Sequence, residues 1–298
     1  MGKARTMMIA AMVIFGTLGL FVRYVPVSSG ELALYRAILA VCLIGLFLLV
    51  TRQKIPFSDI KKEIPLLLLS GGAMGINWIL LFEAYRYTTV SVATLSYYFA
   101  PVIVTVLSPM LFREKLTGKQ LLCFILSTVG IVLITATGQL GGGSRDLIGI
   151  LFGLGAAAFY ATVILLNKTI RRVAGLHRTF LQFLAAIAVL IPYVALSGSF
   201  SLGELDGLGW GSLLTVGLVH TGIAYCLYFP ALKDLPGQKA AILSYLDPLV
   251  AVILSVTVMG ETMTFWQALG GVLILGFTLW SELSPGKKVT AEVQNDQL

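Results

Sequence analysis

Charged side chains are scarce in this chain of 298 residues: Asp, Glu, Lys and Arg together make up only 12% of it. Hydrophobic residues account for 57%, and the mean hydropathy is +0.92. A soluble domain carries about 25% charged residues. Because apolar runs of about 20 residues also follow one another along the chain, the sequence excludes an ordinary soluble protein and predicts an all-α integral membrane protein.

Cysteine is scarce as well, and common ligand and nucleotide motifs are missing from the sequence. Cys42, Cys123 and Cys226 all lie inside apolar runs, where we expect small buried side chains and no disulfide framework. The sequence contains no CxxC or HExxH spacing and no Walker A motif. We therefore expect no metal site, no cofactor, no ATP-driven step and no enzyme activity.

What the chain does contain is a repeat at a fixed offset of 147 residues. Residues 84–120 align with residues 231–267 without a gap. The identical pairs are Ala84/Ala231, Ala93/Ala240, Tyr98/Tyr245, Pro101/Pro248, Glu114/Glu261, Thr117/Thr264 and Gln120/Gln267. A repeat of this length usually reflects the architecture of the whole chain, so we predict two related halves.

Ten candidate transmembrane helices lie between turn-forming and polar residues. They cover residues 6–25, 30–51, 64–86, 89–112, 116–136, 147–170, 178–197, 208–232, 237–259 and 263–282. The predicted domains are a first five-helix repeat, a glycine-rich linker, a second five-helix repeat and a polar cytoplasmic tail, at residues 1–137, 138–146, 147–283 and 284–298.

Lysines and arginines indicate the orientation, because cytoplasmic loops carry an excess of them. With the N-terminus in the cytoplasm, 17 of the 21 fall on cytoplasmic segments, three on outer segments and one, Arg36, within a span. The basic residues thus belong to membrane loops, and the net charge of +7 predicts no nucleic-acid binding. We expect a multi-pass protein of the plasma (inner) membrane with both termini in the cytoplasm.

Five spans in each half is an odd number, so the second half must enter the membrane from the opposite side. Glu114 is then placed at the cytoplasmic face, and its repeat partner Glu261 at the outer face. The predicted fold is therefore ten transmembrane helices arranged as two inverted five-helix repeats. This is the ground plan of many alternating-access carriers.

One motif occurs in both halves and connects the chain to a known family. The first copy is Tyr98-Phe-Ala-Pro101 followed by Glu114-Lys-Leu-Thr117, and the second is Tyr245-Leu-Asp-Pro248 followed by Glu261-Thr-Met-Thr264. With these residues the chain resembles, over nearly its whole length, the EamA-type family of the drug/metabolite transporter superfamily. The resemblance implies a secondary active transporter without a cofactor, an exporter of amino acids or similar small metabolites that works by alternating access.

Other functions stay open on the residues alone. A proton-coupled multidrug or organic-cation exporter would suit an acidic residue and several tyrosines inside the membrane. A passive channel or a membrane enzyme is disfavoured, because a proline in each central helix fits a carrier and because no nucleophile or metal set is present. The expected partners are a small-molecule substrate, the lipid bilayer and, under the coupling hypothesis, protons; no oligomeric state is predicted.

Polar and aromatic side chains recur inside the spans, most clearly in the fourth. Thr94, Tyr97, Tyr98, Pro101 and Thr105 fall on one helical face there. Such a stripe lines either a helix interface or a cavity, and the two tyrosines with the proline favour the cavity. The candidate cavity residues are Asn77, Trp78, Tyr97, Tyr98, Tyr160, Tyr225 and Tyr245.

Asp247 stands about 15 Å deep in the ninth span, where a lone carboxyl group must be paired, protonated or hydrated. His220 in the eighth span lies at a similar depth, and the loop joining the two spans is short. We therefore expect that the two side chains could meet. They would form either a proton- or cation-coupling site or a fixed polar clamp.

Arg36 and Glu83 lie near the outer ends of the second and third spans and could pair, while Arg86 offers Glu83 a second partner. A structural role is favoured, since both lie within snorkelling reach of the interface. The alternative is an outer gate. The same structural or gating role is assigned to Pro101, Pro248, Glu114 and Glu261.

Overall fold

The structure is a computed structural model that describes residues 2–52, 57–112, 118–141, 144–173, 175–197, 201–235 and 243–282. Over these residues the chain is helical and contains no β-strand. The all-α prediction is thus confirmed. Helices suit such apolar sequence because each one satisfies its backbone hydrogen bonds internally, without water.

The helices of the described residues follow one another with short connections. In chain order they are α1 Gly2–Gly16, α2 Leu18–Val22, α3 Ser29–Val50, α4 Phe57–Tyr87, α5 Val90–Tyr97, α6 Ala100–Phe112, α7 Gly118–Gly141, α8 Ser144–Thr169, α9 Gly175–Ser197, α10 Gly207–Leu214, α11 Ala224–Asp234, α12 Leu246–Thr257 and α13 Phe265–Glu282. A π-helical segment, Thr215–Ile223, joins α10 to α11, and a short 3₁₀ turn, Leu202–Glu204, precedes α10.

Seven helical stretches of the described chain are long and apolar enough to cross a membrane. They are Gly2–Val22, Ser29–Val50, Ile60–Tyr87, Val90–Phe112, Arg145–Thr169, Gly175–Ser197 and Gly207–Leu232. Three shorter apolar helices cover Leu121–Ile134, Leu246–Thr257 and Phe265–Trp280. The chain is therefore a multi-pass membrane protein, whereas the count of ten spans and their inverted arrangement stay predictions.

The two halves of the chain pack against each other through several helix pairs. Helix α4 of the first half contacts α8 and α9 of the second, α1 contacts α11 and α12, and α7 contacts α13. The main hydrophobic core lies between α3, α4 and α9, with Phe82, Phe183 and Leu190 almost completely buried.

Two glycines allow the halves to approach closely. A Cβ atom on Gly71 of α4 would lie 2.5 Å from the Cβ of Ala185 in α9. A Cβ on Gly149 of α8 would lie 2.7 Å from the Cβ of Thr88, between α4 and α5. Small residues at such crossings are typical of packed membrane helices.

The predicted fourth and ninth spans each contain a turn at a repeat-related position, Tyr98 and Tyr245. The fourth is divided at Tyr98 into α5 and α6, and the ninth has a turn at Tyr245, just before α12. A proline follows three residues later in each case, Pro101 and Pro248, inside the first turn of the next helix. Proline is tolerated there because its missing N–H would have had no helical partner.

The connection between the halves is more helical than the predicted linker at 138–146. Helix α7 continues to Gly141 and α8 begins at Ser144, so the described part of this segment is helical. Residues 142–143 lie outside the described residues, as do the predicted tail at 284–298 and Glu114. The domain boundaries stay predictions.

Candidate functional site: a cavity between the two halves

A cavity of about 460 Å³ lies between the halves, in the size range of small-molecule sites. The seven residues predicted to line a cavity all contribute to its wall: Asn77, Trp78, Tyr97, Tyr98, Tyr160, Tyr225 and Tyr245. Pro101 and Asp247 also line it. The interruptions of the fourth and ninth spans thus face the same space.

Aromatic rings form much of the cavity wall. The centre of the Tyr97 ring lies 5.8 Å from that of Tyr98 and 5.3 Å from that of Tyr160 in α8. On the other side, Tyr225 of α11 packs 5.2 Å from Phe15 of α1 and 5.5 Å from Phe183 of α9. Such rings offer apolar area together with hydroxyl groups, which suits an amphipathic ligand.

Asn77 and Trp78 are neighbours on α4, and they make a hydrogen bond and an aromatic contact, respectively. The Asn77 Nδ2 donates to the carbonyl oxygen of Ala156 in α8 at 2.6 Å, and the side chain is only 2% exposed. The Trp78 ring packs edge-on against Phe183, with 5.0 Å between ring centres. Asn77 therefore joins the halves, while Trp78 supplies an aromatic surface to the cavity.

Asp247 and Tyr98 connect the two interrupted spans across the cavity. The Tyr98 hydroxyl donates to Asp247 Oδ2 at 2.5 Å. Tyr98 lies where α5 ends, and Asp247 lies in the first turn of α12. The acidic residue of the second repeat is thus hydrogen-bonded to the tyrosine at the break of the first.

His220 does not meet Asp247, and the expected pair is wrong. The His220 Nε2 lies 2.8 Å from Thr17 Oγ1, its Nδ1 lies 3.1 Å from the Thr215 carbonyl oxygen, and the ring packs 5.0 Å from that of Phe21. The side chain is 2% exposed and is absent from the cavity wall. Similar depth did not bring the two together, because His220 contacts Thr17, between α1 and α2, and Phe21 in α2.

Arg36 and Glu83 do not pair either, so the expected ion pair between them is wrong, whereas the expected contact of Glu83 with Arg86 is present. Glu83 accepts from Arg86 at 3.3 Å, near the surface. Arg36 is buried, with 5% exposure, and lines the cavity instead of snorkelling to the interface. Its Nε donates to Thr221 Oγ1 at 3.0 Å, and its Cζ lies 4.5 Å from the centre of the Trp78 ring.

Glu261 ties the second half to the beginning of α5. Its carboxylate accepts from the backbone N–H of Val90 at 2.9 Å and from the hydroxyl of Ser255. Close by, the hydroxyls of Ser91 and Ser255 lie 2.6 Å apart. A carboxylate at a helix N-terminus satisfies a free N–H and complements the helix dipole, so Glu261 acts as a cap supplied by the other half.

Comparison with known proteins identifies the family. The profile described as EamA-like transporter family matches residues 3–136 and again residues 147–281. The chain belongs to the EamA-like transporter family. A relative from Bacillus subtilis (strain 168), the uncharacterized transporter YxxF, is 33% identical over 292 residues, covering 96% of this chain and 92% of the relative.

Two further matches extend over almost the whole EamA-like chain. The uncharacterized inner membrane transporter YicL of Salmonella typhimurium is 25% identical and covers 98% of this chain and 100% of its own. A chain solved by crystallography superposes with a TM-score of 0.67 at 17% identity, covering 95% of this chain and 97% of that one. The first supports membrane transport, and the second shows the fold. The protein is thus a membrane transporter.

Sequence reasoning missed the π-helical segment of this EamA-like transporter. The Thr221 hydroxyl donates to the carbonyl oxygen of Val216, five residues earlier, at 2.9 Å, and accepts from Arg36. π-Helical turns often occur at functional sites. The sequence offered one signal for this irregular helix. Two glycines, Gly217 and Gly222, flank two adjacent polar residues, His220 and Thr221, inside an apolar span.

Sequence reasoning also missed Arg178 and Gln182, which contact Asn167 at the cavity wall. Gln182 Nε2 donates to Asn167 Oδ1 at 2.6 Å and to Ser70 Oγ at 2.5 Å. Arg178 donates through Nη1 to the Asn167 carbonyl oxygen at 3.1 Å. Asn167, Arg178 and Gln182 all line the cavity, so the EamA-like transporter carries a second arginine in its wall.

Proposed function

We propose that this transporter is a secondary active carrier that exports amino acids or similar small metabolites by alternating access. The observation that carries the proposal is the cavity of about 460 Å³ enclosed by both halves, across which Tyr98 contacts Asp247. A binding space shared by two related halves suits a carrier, because rocking of one half against the other exposes that space to alternate sides.

The proposed topology is ten spans in two inverted repeats, with both termini in the cytoplasm of a plasma-membrane protein. It is supported by the family match to both halves and by the distribution of lysines and arginines. The repeat-related breaks at Tyr98 and Tyr245 also support it, since paired discontinuous helices are typical of such carriers.

We infer that, in this orientation, the cavity opens toward the cytoplasm. The cavity wall includes Asn167, Arg178 and Leu232, which lie close to the predicted cytoplasmic ends of α8, α9 and α11. On the predicted outer side, the Glu261 carboxylate accepts from the backbone N–H of Val90 and from the Ser255 hydroxyl. We infer that these outer contacts break when the carrier opens outward.

Asp247 favours a second candidate, a proton-coupled exporter of organic cations or other drugs. Its carboxyl group lies in the cavity wall, hydrogen-bonded to Tyr98, where a proton or a cationic substrate could reach it. Arg36 and Arg178 line the same cavity and would repel a cation. This charge distribution ranks metabolite export first.

Reconstitution of the purified full chain in liposomes tests the proposal. Vesicles loaded with one unlabelled candidate substrate at a time are given the same compound in labelled form outside. Transient accumulation of label driven by the internal substrate is the expected result. Electrical conductance without counterflow would support a passive channel, and chemical conversion of the compound would support an enzyme; either result overturns the carrier assignment.

A further inference from the structure

Arg36 is a buried cation whose donor groups are mostly unused. Within the described part of the chain only its Nε has a hydrogen-bond partner, Thr221 Oγ1 at 3.0 Å. Among the described residues no carboxylate oxygen lies within 4.0 Å of its guanidinium nitrogens. The residue is 5% exposed and lines the cavity, so the Nη1 and Nη2 groups face the cavity space.

The guanidinium group is also held in a fixed position. Its Cζ lies 4.5 Å from the centre of the Trp78 ring and 5.3 Å from that of Phe82, so two aromatic side chains of α4 support it by cation–π contact. The bond from Nε to Thr221 fixes the opposite edge. The two Nη groups are therefore presented to the cavity in a preorganised fork.

Burying a cation inside a membrane protein costs free energy unless a ligand or a protein group compensates its charge. Cation–π contact and one hydroxyl acceptor compensate part of the charge and leave four N–H donors of the guanidinium without an acceptor among the described residues. A carboxylate matches the free fork, because its two oxygens accept two parallel N–H bonds.

We propose that Arg36 binds the carboxylate of the transported substrate, and that the substrate class is therefore small carboxylates with an apolar body, such as amino acids. This proposal rests on the carrier function proposed above and names the substrate chemistry of the same cavity. Trp78, Tyr97 and Tyr225 line the cavity with Arg36 and receive the apolar part. Arg178 adds a second positive charge to the wall, which favours entry of an anionic group.

The alternative is that Arg36 only clamps α3 to the π-helical segment through Thr221. A clamp would affect the stability of the empty protein but not its choice between an acid and the corresponding amide. The decisive readout is therefore the ratio of affinities for two ligands that differ only in the carboxylate.

The experiment uses the purified full chain in detergent and measures thermal stabilisation, since a ligand of the folded state raises apparent stability. The probes are the common amino acids, each with its amide and its decarboxylated amine, for example leucine, leucinamide and isoamylamine. We expect at least one acid to bind on the order of 10- to 100-fold more tightly than its amide, the range for hydrogen bonds to charged groups.

Variants of Arg36 test whether this residue causes the preference for the acid over the amide. Arg36→Gln should reduce acid affinity to that of the amide, and Arg36→Lys should retain an intermediate preference, because lysine keeps the charge without the fork. Arg86→Gln is the matched control, since Arg86 is an exposed arginine outside the cavity wall. It should behave as the wild type does. If Arg36→Gln does not fold, Arg36→Lys decides instead, because an acid preference equal to that of the wild type would contradict binding by the guanidinium fork.

Two results would overturn the assignment of Arg36: equal binding of acid and amide by the wild type, or an unchanged acid preference in Arg36→Gln. Binding and counterflow of amines or nucleosides but of no carboxylate would also overturn it, while leaving the carrier proposal intact. Conversely, acid binding that depends on Arg36, together with conductance and no counterflow, would overturn the carrier and support the carboxylate site.

Discussion

Tyr98 and Asp247 join the two repeats at their related interruptions, with the tyrosine hydroxyl 2.5 Å from Asp247 Oδ2. Tyr98 has its own repeat partner in Tyr245, whereas the residue that corresponds to Asp247 in the first half is Ala100. The contact is therefore asymmetric: one half supplies a hydroxyl donor and the other a carboxyl acceptor. Under the proposed alternating-access mechanism, opening the cavity to the other side would change the surroundings of this pair, so ion coupling is tested here first.

Asp247→Asn removes the titratable group from this contact while preserving its size. If a proton on Asp247 drives export, the variant should lose the dependence of transport on the pH gradient but should still exchange substrate across liposome membranes. The measurement is counterflow compared with uptake driven by an imposed pH gradient. An unchanged pH profile in Asp247→Asn would rule out coupling through this residue.

Tyr98→Phe is the partner variant, because it deletes only the donor. The loss of one buried hydrogen bond should destabilise the protein by about 1 kcal/mol, and leaving the Asp247 carboxyl unpaired adds to that cost. We expect a shifted but still present pH dependence, since the carboxyl remains. A pH profile identical to that of the wild type would show that the contact with Tyr98 does not affect coupling.

His220→Gln tests the reassignment of the histidine to a structural role. The side chain is bonded to Thr17 and to the Thr215 carbonyl oxygen, and it is absent from the cavity wall. The variant should melt at a lower temperature, by an amount that corresponds to about 1–3 kcal/mol, because buried polar partners are left unpaired. Its pH dependence of transport should equal that of the wild type. Loss of that dependence would return His220 to the coupling site.

The sequence predicts which residues share one face of a helix more reliably than it predicts which residues of different helices contact each other. Tyr97 and Tyr98 were assigned to a cavity by spacing within one span, and both line it. The predicted pairing of Arg36 with Glu83 is wrong. The position of a residue in its span indicates its depth in the membrane, but it does not indicate which neighbouring helix the side chain faces. His220 illustrates the same limit, since its ring contacts Thr17 and Phe21 although its predicted depth matches that of Asp247.

Glu261→Ala tests the cap that the second half places on α5. Removing its acceptors leaves the Val90 N–H without its partner, so the protein should lose about 1–2 kcal/mol of stability. Glu83→Ala is the matched control, since its partner Arg86 is exposed and such surface pairs contribute about 0–1 kcal/mol. Thermal melts in detergent compare the two. Equal shifts for both variants would contradict the capping role of Glu261.

Gly217→Ala tests how closely the π-helical segment approaches α3. A Cβ on Gly217 would lie 2.6 Å from the Cβ of Leu39, too close for unstrained packing. Separating the two helices would also move Thr221 away from Arg36, whose Nε it accepts. We expect a loss of about 1–3 kcal/mol in stability from overpacking, and weaker binding of any ligand that depends on the Arg36 fork.

Gly211→Ala in α10, on the same span, is the control for Gly217→Ala. It makes the same change in helix propensity without the close contact to α3. Nothing lies within 4 Å of a Cβ at Gly211, so alanine there should be neutral or stabilise the helix by about 0.5–1 kcal/mol. Ligand binding should be unchanged in this variant. If Gly217→Ala keeps both the stability and the ligand affinity of Gly211→Ala, the close contact between the π-helical segment and α3 does not position Arg36.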